Sequence, residues 1–308
     1  MSQGSAVVRV SGIAKRYGST VAVHDASFEV RDGEIFGLIG PNGAGKTTTM
    51  ECVEGLRRPD RGSIAVLGLD PVRDAHALQR RVGVQLQQAQ LQKRITVREA
   101  VHFWASLYGR APADGDRLLE QLGLAEKGRA WFMTLSGGQK QRLFIVLALV
   151  NDPELVFFDE LTTGLDPQAR QAIWELVRGI RARGKTVFLT THLMEEAERL
   201  CDRVAIMEHG RIIDHDTPAR LVDRHCPERG VVLATDDPQA DAHFSSIPGL
   251  EQVTQEEGRY RIRGRSPSFV TDVIQCLAEH RIRVTDFRTE LPTLEDVFLK
   301  LTGRSIRD

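Results

Sequence analysis

The sequence predicts an α/β protein, a mostly parallel sheet covered by helices from Val7 to about Asp216, followed by a small α+β domain. Three observations carry that expectation. Short apolar runs alternate with helical patterns through the first part of the chain, a glycine-rich turn at Gly40–Thr47 leads from one such run into a helix, and the pattern changes after Pro227.

In chain order, Ile35–Ile39, Leu155–Phe158, Thr186–Leu189 and Val204–Met207 read as strands. Between them Thr96–Tyr108, Ala113–Leu122 and Gln168–Arg183 read as helices by their spacing and flanking breakers. The stretch from about Ala75 to Leu135 is almost all helical in pattern. With the apolar helix that follows it, it predicts a helical subdomain over about 75–150, inserted in the sheet order. Past Pro227, Val231–Ala234, Arg259–Arg263 and Ile282–Phe287 alternate as strands around a helical Pro267–Glu279, a pattern similar to a small split β-α-β sandwich. Thr293 then caps a last helix, with Asp296 three residues on and Leu294, Val297, Phe298 and Leu301 on one face. The expected domain limits are 1–226 and 227–308.

Composition narrows the classes. The chain has 308 residues, 41% of them hydrophobic and 27% charged, which is ordinary for a globular protein. A formal net charge of −1 gives no bulk attraction to nucleic acid, and no nucleic-acid partner is expected. Cys52, Cys201, Cys226 and Cys276 are scattered without a zinc spacing and read as free thiols in a reducing cytosol. The longest apolar run, Leu143–Val150, is far shorter than the roughly 20 residues that span a bilayer, so any membrane must be crossed by another chain.

Chemistry enters at Gly40-Pro41-Asn42-Gly43-Ala44-Gly45-Lys46-Thr47, between a buried strand and a helix opening at Lys46. Such a loop wraps its backbone N–H groups around the β- and γ-phosphates of a nucleotide. Lys46 adds a positive charge and Thr47 a hydroxyl for Mg²⁺. A second glycine-bearing helix start, Leu135-Ser136-Gly137-Gly138-Gln139, can bind a second anion through Ser136 and the N–H groups of Gly137 and Gly138. About one helix later Leu155-Val156-Phe157-Phe158-Asp159-Glu160 is an apolar strand ending in two carboxylates. Asp159 can hold Mg²⁺ through a water, and Glu160 can polarise a water beside the γ-phosphate.

In this order and spacing the motifs closely resemble the nucleotide-binding subunits of ABC (ATP-binding cassette) transporters, over roughly Val7 to Arg220. The resemblance implies a P-loop NTPase cassette with an inserted helical subdomain, which binds ATP and Mg²⁺ through Gly40 to Thr48 and hydrolyses ATP. It implies that Tyr17 stacks on adenine, that Gln87 reaches Mg²⁺, and that His192 contacts the γ-phosphate; Gln85 and Gln88 stand close enough to compete with Gln87. Gly164-Leu165-Asp166 matches the loop where two subunits meet, and Ser136, Gly137, Gly138 and Gln139 face the ATP of the partner in a homodimer. It also implies a separate multi-spanning permease and a peripheral place at the cytoplasmic face of the cell membrane. Leu161 stands where the family usually has proline after the glutamate, which puts the hydrolysis rate in doubt.

The segment from Leu291 to Arg304 looks like the tail of drug- and antibiotic-type exporter subunits, and so implies export of drugs, antibiotics or lipids. Two other readings compete. A soluble ABC ATPase such as an iron–sulfur assembly factor shares the cassette but has no obvious need of the region after Pro227. A cassette that only binds ATP is disfavoured by the presence of Lys46, Asp159, Glu160 and His192 together.

Overall fold

The computed structural model describes residues 5–85, 90–237, 239–256 and 258–303. It divides into two compact units, Met1–Pro218 and Ala219–Asp308.

The first unit opens with two long strands, β1 (Ala6–Tyr17) and β2 (Thr20–Arg31), paired antiparallel up to Tyr17 opposite Thr20. Then follow β3 (Ile35–Ile39), α1 (Lys46–Val53), β4 (Arg61–Val66), α2 (Ala75–Gln79) and β5 (Val82–Gln85). Helices α3 (Val97–Leu107), α4 (Pro112–Gln121) and α5 (Gly137–Leu149) come next. The unit closes with β6 (Leu155–Asp159), α6 (Pro167–Ala182), β7 (Thr186–Thr191), α7 (Met194–Leu200), β8 (Arg203–Glu208) and β9 (Arg211–Asp216).

Nine strands form one sheet in the order β4-β1-β2-β9-β8-β3-β7-β6-β5. From β8 to β5 the neighbours are parallel, and β3, β6 and β7 are buried along their whole length, as continuous apolar runs require. The rest is mainly antiparallel, so the expectation of a mostly parallel sheet holds only for that half. Strands β1 and β2, which sequence reading left unassigned, alternate buried and exposed positions and carry register shifts between Val10 and Arg16 that break a period-two pattern. Phe28, Phe36, Phe157 and Phe188 knit β2, β3, β6 and β7 into one core, with ring centroids 5.4–5.8 Å apart.

The stretch from Ala75 to Leu135 is less helical than expected, because Val82–Gln85 is a sheet strand paired with β6. The helical part is built by α3, α4 and α5, which pack on one another. Thr96 and Ser136 cap α3 and α5 through reciprocal bonds with Glu99 and Gln139.

The second unit holds α8 (Pro218–His225), β10 (Arg229–Thr235), α9 (Ala240–Phe244), β11 (Leu250–Glu256), β12 (Arg259–Gly264), α10 (Phe269–Glu279), β13 (Val284–Glu290) and α11 (Leu294–Thr302). Its sheet, β11-β12-β10-β13, is antiparallel throughout; β11 and the short α9 were not expected past Pro227. Val231, Leu233 and Ile262 pack with Phe244, Phe269 and Val273 in its core. The division between the compact units falls at 218/219, the expected domain limit at 226/227, and α8 lies between the two positions. Thr293 and Asp296 form the expected cap of α11; Leu294, Val297 and Phe298 are buried and Leu301 is half-buried.

Candidate nucleotide-binding and hydrolysis site

Strand β3 delivers the chain to Gly40, whose N–H donates to Thr191 O (3.3 Å), and a turn with Ala44 N to Pro41 O (3.2 Å) leads into α1. Gly45 stands before α1 at φ 102°, and a Cβ there would lie 2.3 Å from Ala22 O, so only glycine fits. No side chain caps α1, which leaves its N-terminal amides for an anion. Lys46 is buried, and its Nζ donates to Gly40 O (2.8 Å) and Pro41 O (2.9 Å). Burial pulls the Lys46 pKa down, against the raising effect of the Glu160 and Asp159 carboxylates.

Asp159 ends β6 and is buried. Its Oδ1 accepts from Thr190 Oγ1 of β7 and, at 3.4 Å, from Thr47 Oγ1. Burial raises its pKa; the two hydroxyl bonds and Lys46 oppose the rise, and Glu160 adds to it. Glu160 adopts φ 49°, a left-handed conformation that costs about 1 kcal/mol for a non-glycine residue. Its N–H donates to Thr190 O and Thr190 Oγ1, both at 3.2 Å. His192 Nδ1 lies 3.4 Å from Glu160 Oε1, and Thr163 Oγ1 donates to Oε2 at 3.4 Å.

The next turn is anchored from below. Leu161 is buried, and Thr162 Oγ1 donates at 2.7 Å to buried Glu196, which also accepts from Trp174 Nε1 at 3.0 Å. Burial of Leu161 and the Thr162–Glu196 bond fix this turn without a proline. Thr190 and Glu196 escaped the sequence reading. Thr190 lies one residue past the strand read as Thr186–Leu189, and only β6–β7 pairing, Asp159 opposite Thr190, reveals its contact.

Lys46, Thr47, Asp159, Glu160 and His192 are thus brought to one end of the parallel strands, with the loop residues Gly40, Pro41, Asn42, Gly43 and Ala44 before them and Thr48 in the first turn of α1. The Ser136 turn has contacts of its own. Its hydroxyl accepts from Gln139 N (3.3 Å), Gln139 Oε1 accepts from Ser136 N (3.0 Å), and a Cβ added at Gly137 or Gly138 would meet Leu165 or Ala169, on either side of the α6 cap. Asp166 caps α6, accepting from Ala169 N at 2.9 Å. Tyr17, at the end of β1, is 40% exposed. Gln87 lies outside the described residues.

A phosphate loop facing paired carboxylates and a strand-end histidine defines an ATP-hydrolysing P-loop protein. The family model described as ABC transporter matches residues 23–163, and one described as ATP-binding protein DrrA1-3-like, C-terminal domain, matches 227–302. A further model, AAA domain, putative AbiEii toxin, Type IV TA system, overlaps the first over 130–198. The chain is 38% identical to the Nod factor export ATP-binding protein I of Mesorhizobium japonicum over all of its own length and 90% of that protein's. It is 41% identical to the protein of the same name from Burkholderia orbicola, covering 96% of this chain and 97% of that one. A solved structure described as the ATP binding subunit of an ABC transporter shares 31% identity and superimposes with a TM-score of 0.64, over 71% of this chain and 92% of that one. The chain belongs to the ATP-binding subunits of ABC transporters, and its activity is ATP hydrolysis that powers a membrane permease. No helix among the described residues is long and apolar enough to cross a membrane. Similarity to exporter subunits over the whole length disfavours the soluble assembly-factor reading.

Proposed function

We propose that two copies of the chain close head to tail around two Mg·ATP at the cytoplasmic face of the cell membrane and drive an export permease. The observation that carries this reading is that one chain holds two glycine-bearing helix starts, each with its own set of contacts. The loop at Gly40–Thr48, Asp159, Glu160 and His192 form one cluster, while Ser136, Gly137, Gly138 and Gln139 start a helix packed against Leu165 and Ala169. The second helix start then serves the partner's ATP, with Asp166 at the seam.

Within the cluster, the N-terminus of α1 and Lys46 hold the phosphates, and Tyr17 stacks on adenine. Glu160 orients the attacking water and draws its proton, while His192 contacts the γ-phosphate and steadies Glu160. The Thr47 hydroxyl and the Asp159 carboxylate, 3.4 Å apart, suit Mg²⁺, which keeps several waters and needs few protein oxygens; Gln87 is a further ligand by resemblance. Bound there, Mg²⁺ would neutralise phosphate charge. The relatives are named for Nod factor export, and the cargo proposed for this chain is a drug, an antibiotic or a lipid.

The test is purification from detergent-solubilised membranes. A multi-spanning protein should co-purify, and its reconstitution with this chain should give ATP-dependent efflux of lipophilic probes from vesicles. Recovery of soluble partners alone would overturn the reading.

A further inference from the structure

The end of β1 that carries Tyr17 is fastened to the helix that opens the phosphate loop. Past the end of α1, Gly55 takes φ 80°, and a Cβ there would meet Pro71 O at 2.2 Å. The chain reverses at this glycine, so that Arg57 N donates to Glu51 O at 3.0 Å and the Arg57 guanidinium forks onto the Glu51 carboxylate, Nε to Oε2 and a terminal nitrogen to Oε1 at 3.4 Å. Held there, Arg57 Cζ lies 5.4 Å from the centroid of the Tyr17 ring. Lys15 Nζ lies 5.8 Å from the same centroid and is bound by Asp60 Oδ1 (2.9 Å) and Arg58 O (2.8 Å). Both distances fall within the reach of cation–π attraction.

We infer that Arg57, clamped by Glu51, is a positioning residue for the nucleotide base, holding the Tyr17 ring in register with the helix that carries Lys46. This rests on the reading that Tyr17 stacks on adenine. An exposed tyrosine beside a hairpin turn divides its time among rotamers, and each ATP that bound would have to fix it. Arg57 fixes it beforehand. Glu51 lies on the same short helix as Lys46, so the clamp sets the distance between the base and the phosphates. A planar, weakly hydrated guanidinium stacks on a ring better than an ammonium, which makes Arg57 rather than Lys15 the principal contact.

The experiment compares ATP and tripolyphosphate binding, with kcat and KM, in the full chain and in Arg57→Ala, Arg57→Lys, Glu51→Gln, Tyr17→Ala and the Tyr17→Ala/Arg57→Ala double variant. Arg57→Ala should weaken ATP binding and raise KM by about two- to fivefold, the range an exposed cation–ring contact supplies. Its kcat and its affinity for tripolyphosphate, which has no base, should match the parent. Glu51→Gln should show a smaller loss, Arg57→Lys should recover part of the affinity, and the double variant should be no weaker than Tyr17→Ala. Losses that add in the double variant, or an equal loss for tripolyphosphate, would overturn the inference, as would unchanged ATP affinity in Arg57→Ala when Tyr17→Ala is weakened. Unchanged ATP affinity in Tyr17→Ala would overturn the base-stacking reading itself, and the inference with it.

Discussion

His192 Nδ1 stands 3.4 Å from Glu160 Oε1, joining the residue after β7 to the residue after β6. Glu160 N is tied to Thr190 of β7, and its carboxylate meets His192 at Oε1 and Thr163 at Oε2. Such fixation suits the role proposed for Glu160 on the attacking water, which would separate hydrolysis from binding.

Glu160→Gln should therefore keep ATP affinity within about twofold and slow turnover about 10²- to 10⁴-fold, the usual worth of a general base. With Mg·ATP it should elute as a dimer, since binding proceeds and release does not. Lys46→Ala removes charge needed in every state and should lose binding itself. Phosphate release and size-exclusion chromatography decide; Glu160→Gln protein that binds ATP yet stays monomeric would defeat the sandwich.

Sharing of the site can be read from mixtures. Ser136→Arg and Lys46→Ala subunits, each inactive alone, should regain about a quarter of the parent ATPase rate when mixed equally. Half the dimers are then mixed, and each keeps one of two composite sites spared by both changes. No recovery, with mixed dimers demonstrated by differential tagging, would place both glycine-rich helix starts on the ATP of one chain.

Much of this site was legible beforehand because its chemistry is local in sequence. Gly40–Thr47, Ser136–Gln139 and Asp159–Glu160 are contiguous runs, and a phosphate loop is recognisable without knowing what lies opposite. What escaped depends on pairing between distant segments. Thr190 contacts Asp159 only through the β6–β7 register, and Glu196 meets Thr162 and Trp174 only once α7 packs on α6. Similarly, β1 was missed because half its residues face solvent and bulges shift the register, so neither a continuous apolar run nor an unbroken alternation survives; in β2 the alternation is clean only from Ala26 to Arg31.

Glu54, at the end of α1, gives a pH test independent of catalysis. Burial, then the Asp159 and Glu51 charges, push its pKa up to about 8 from 4.5. Between those values the folded chain keeps a proton that the unfolded chain releases. Stability conferred by that proton is therefore lost as pH rises, by at most about 1.4 kcal/mol per unit. Glu54→Gln, which cannot titrate, should gain on the parent protein between pH 5 and pH 8 in urea midpoint. A difference that stays constant over that range would mean Glu54 is ionised in the fold.

The two-unit division makes the last prediction sharper than a cut at the sequence-predicted boundary. Since α8 belongs with the second unit, a chain ending at Pro218 should fold and bind ATP with affinity within about twofold of the full chain. One ending at Arg224 carries most of α8 without its unit, exposes Leu221 and should aggregate more readily. In the full chain Phe298 is 1% exposed with no second chain present, so its burial requires no partner. Phe298→Ala should cost about 3–5 kcal/mol of stability through the cavity it leaves. If the units melt separately, calorimetry will show the lower transition shifted while ATP binding persists. Loss of ATP binding in a 1–218 chain that remains helical by circular dichroism would make the second unit part of the nucleotide site.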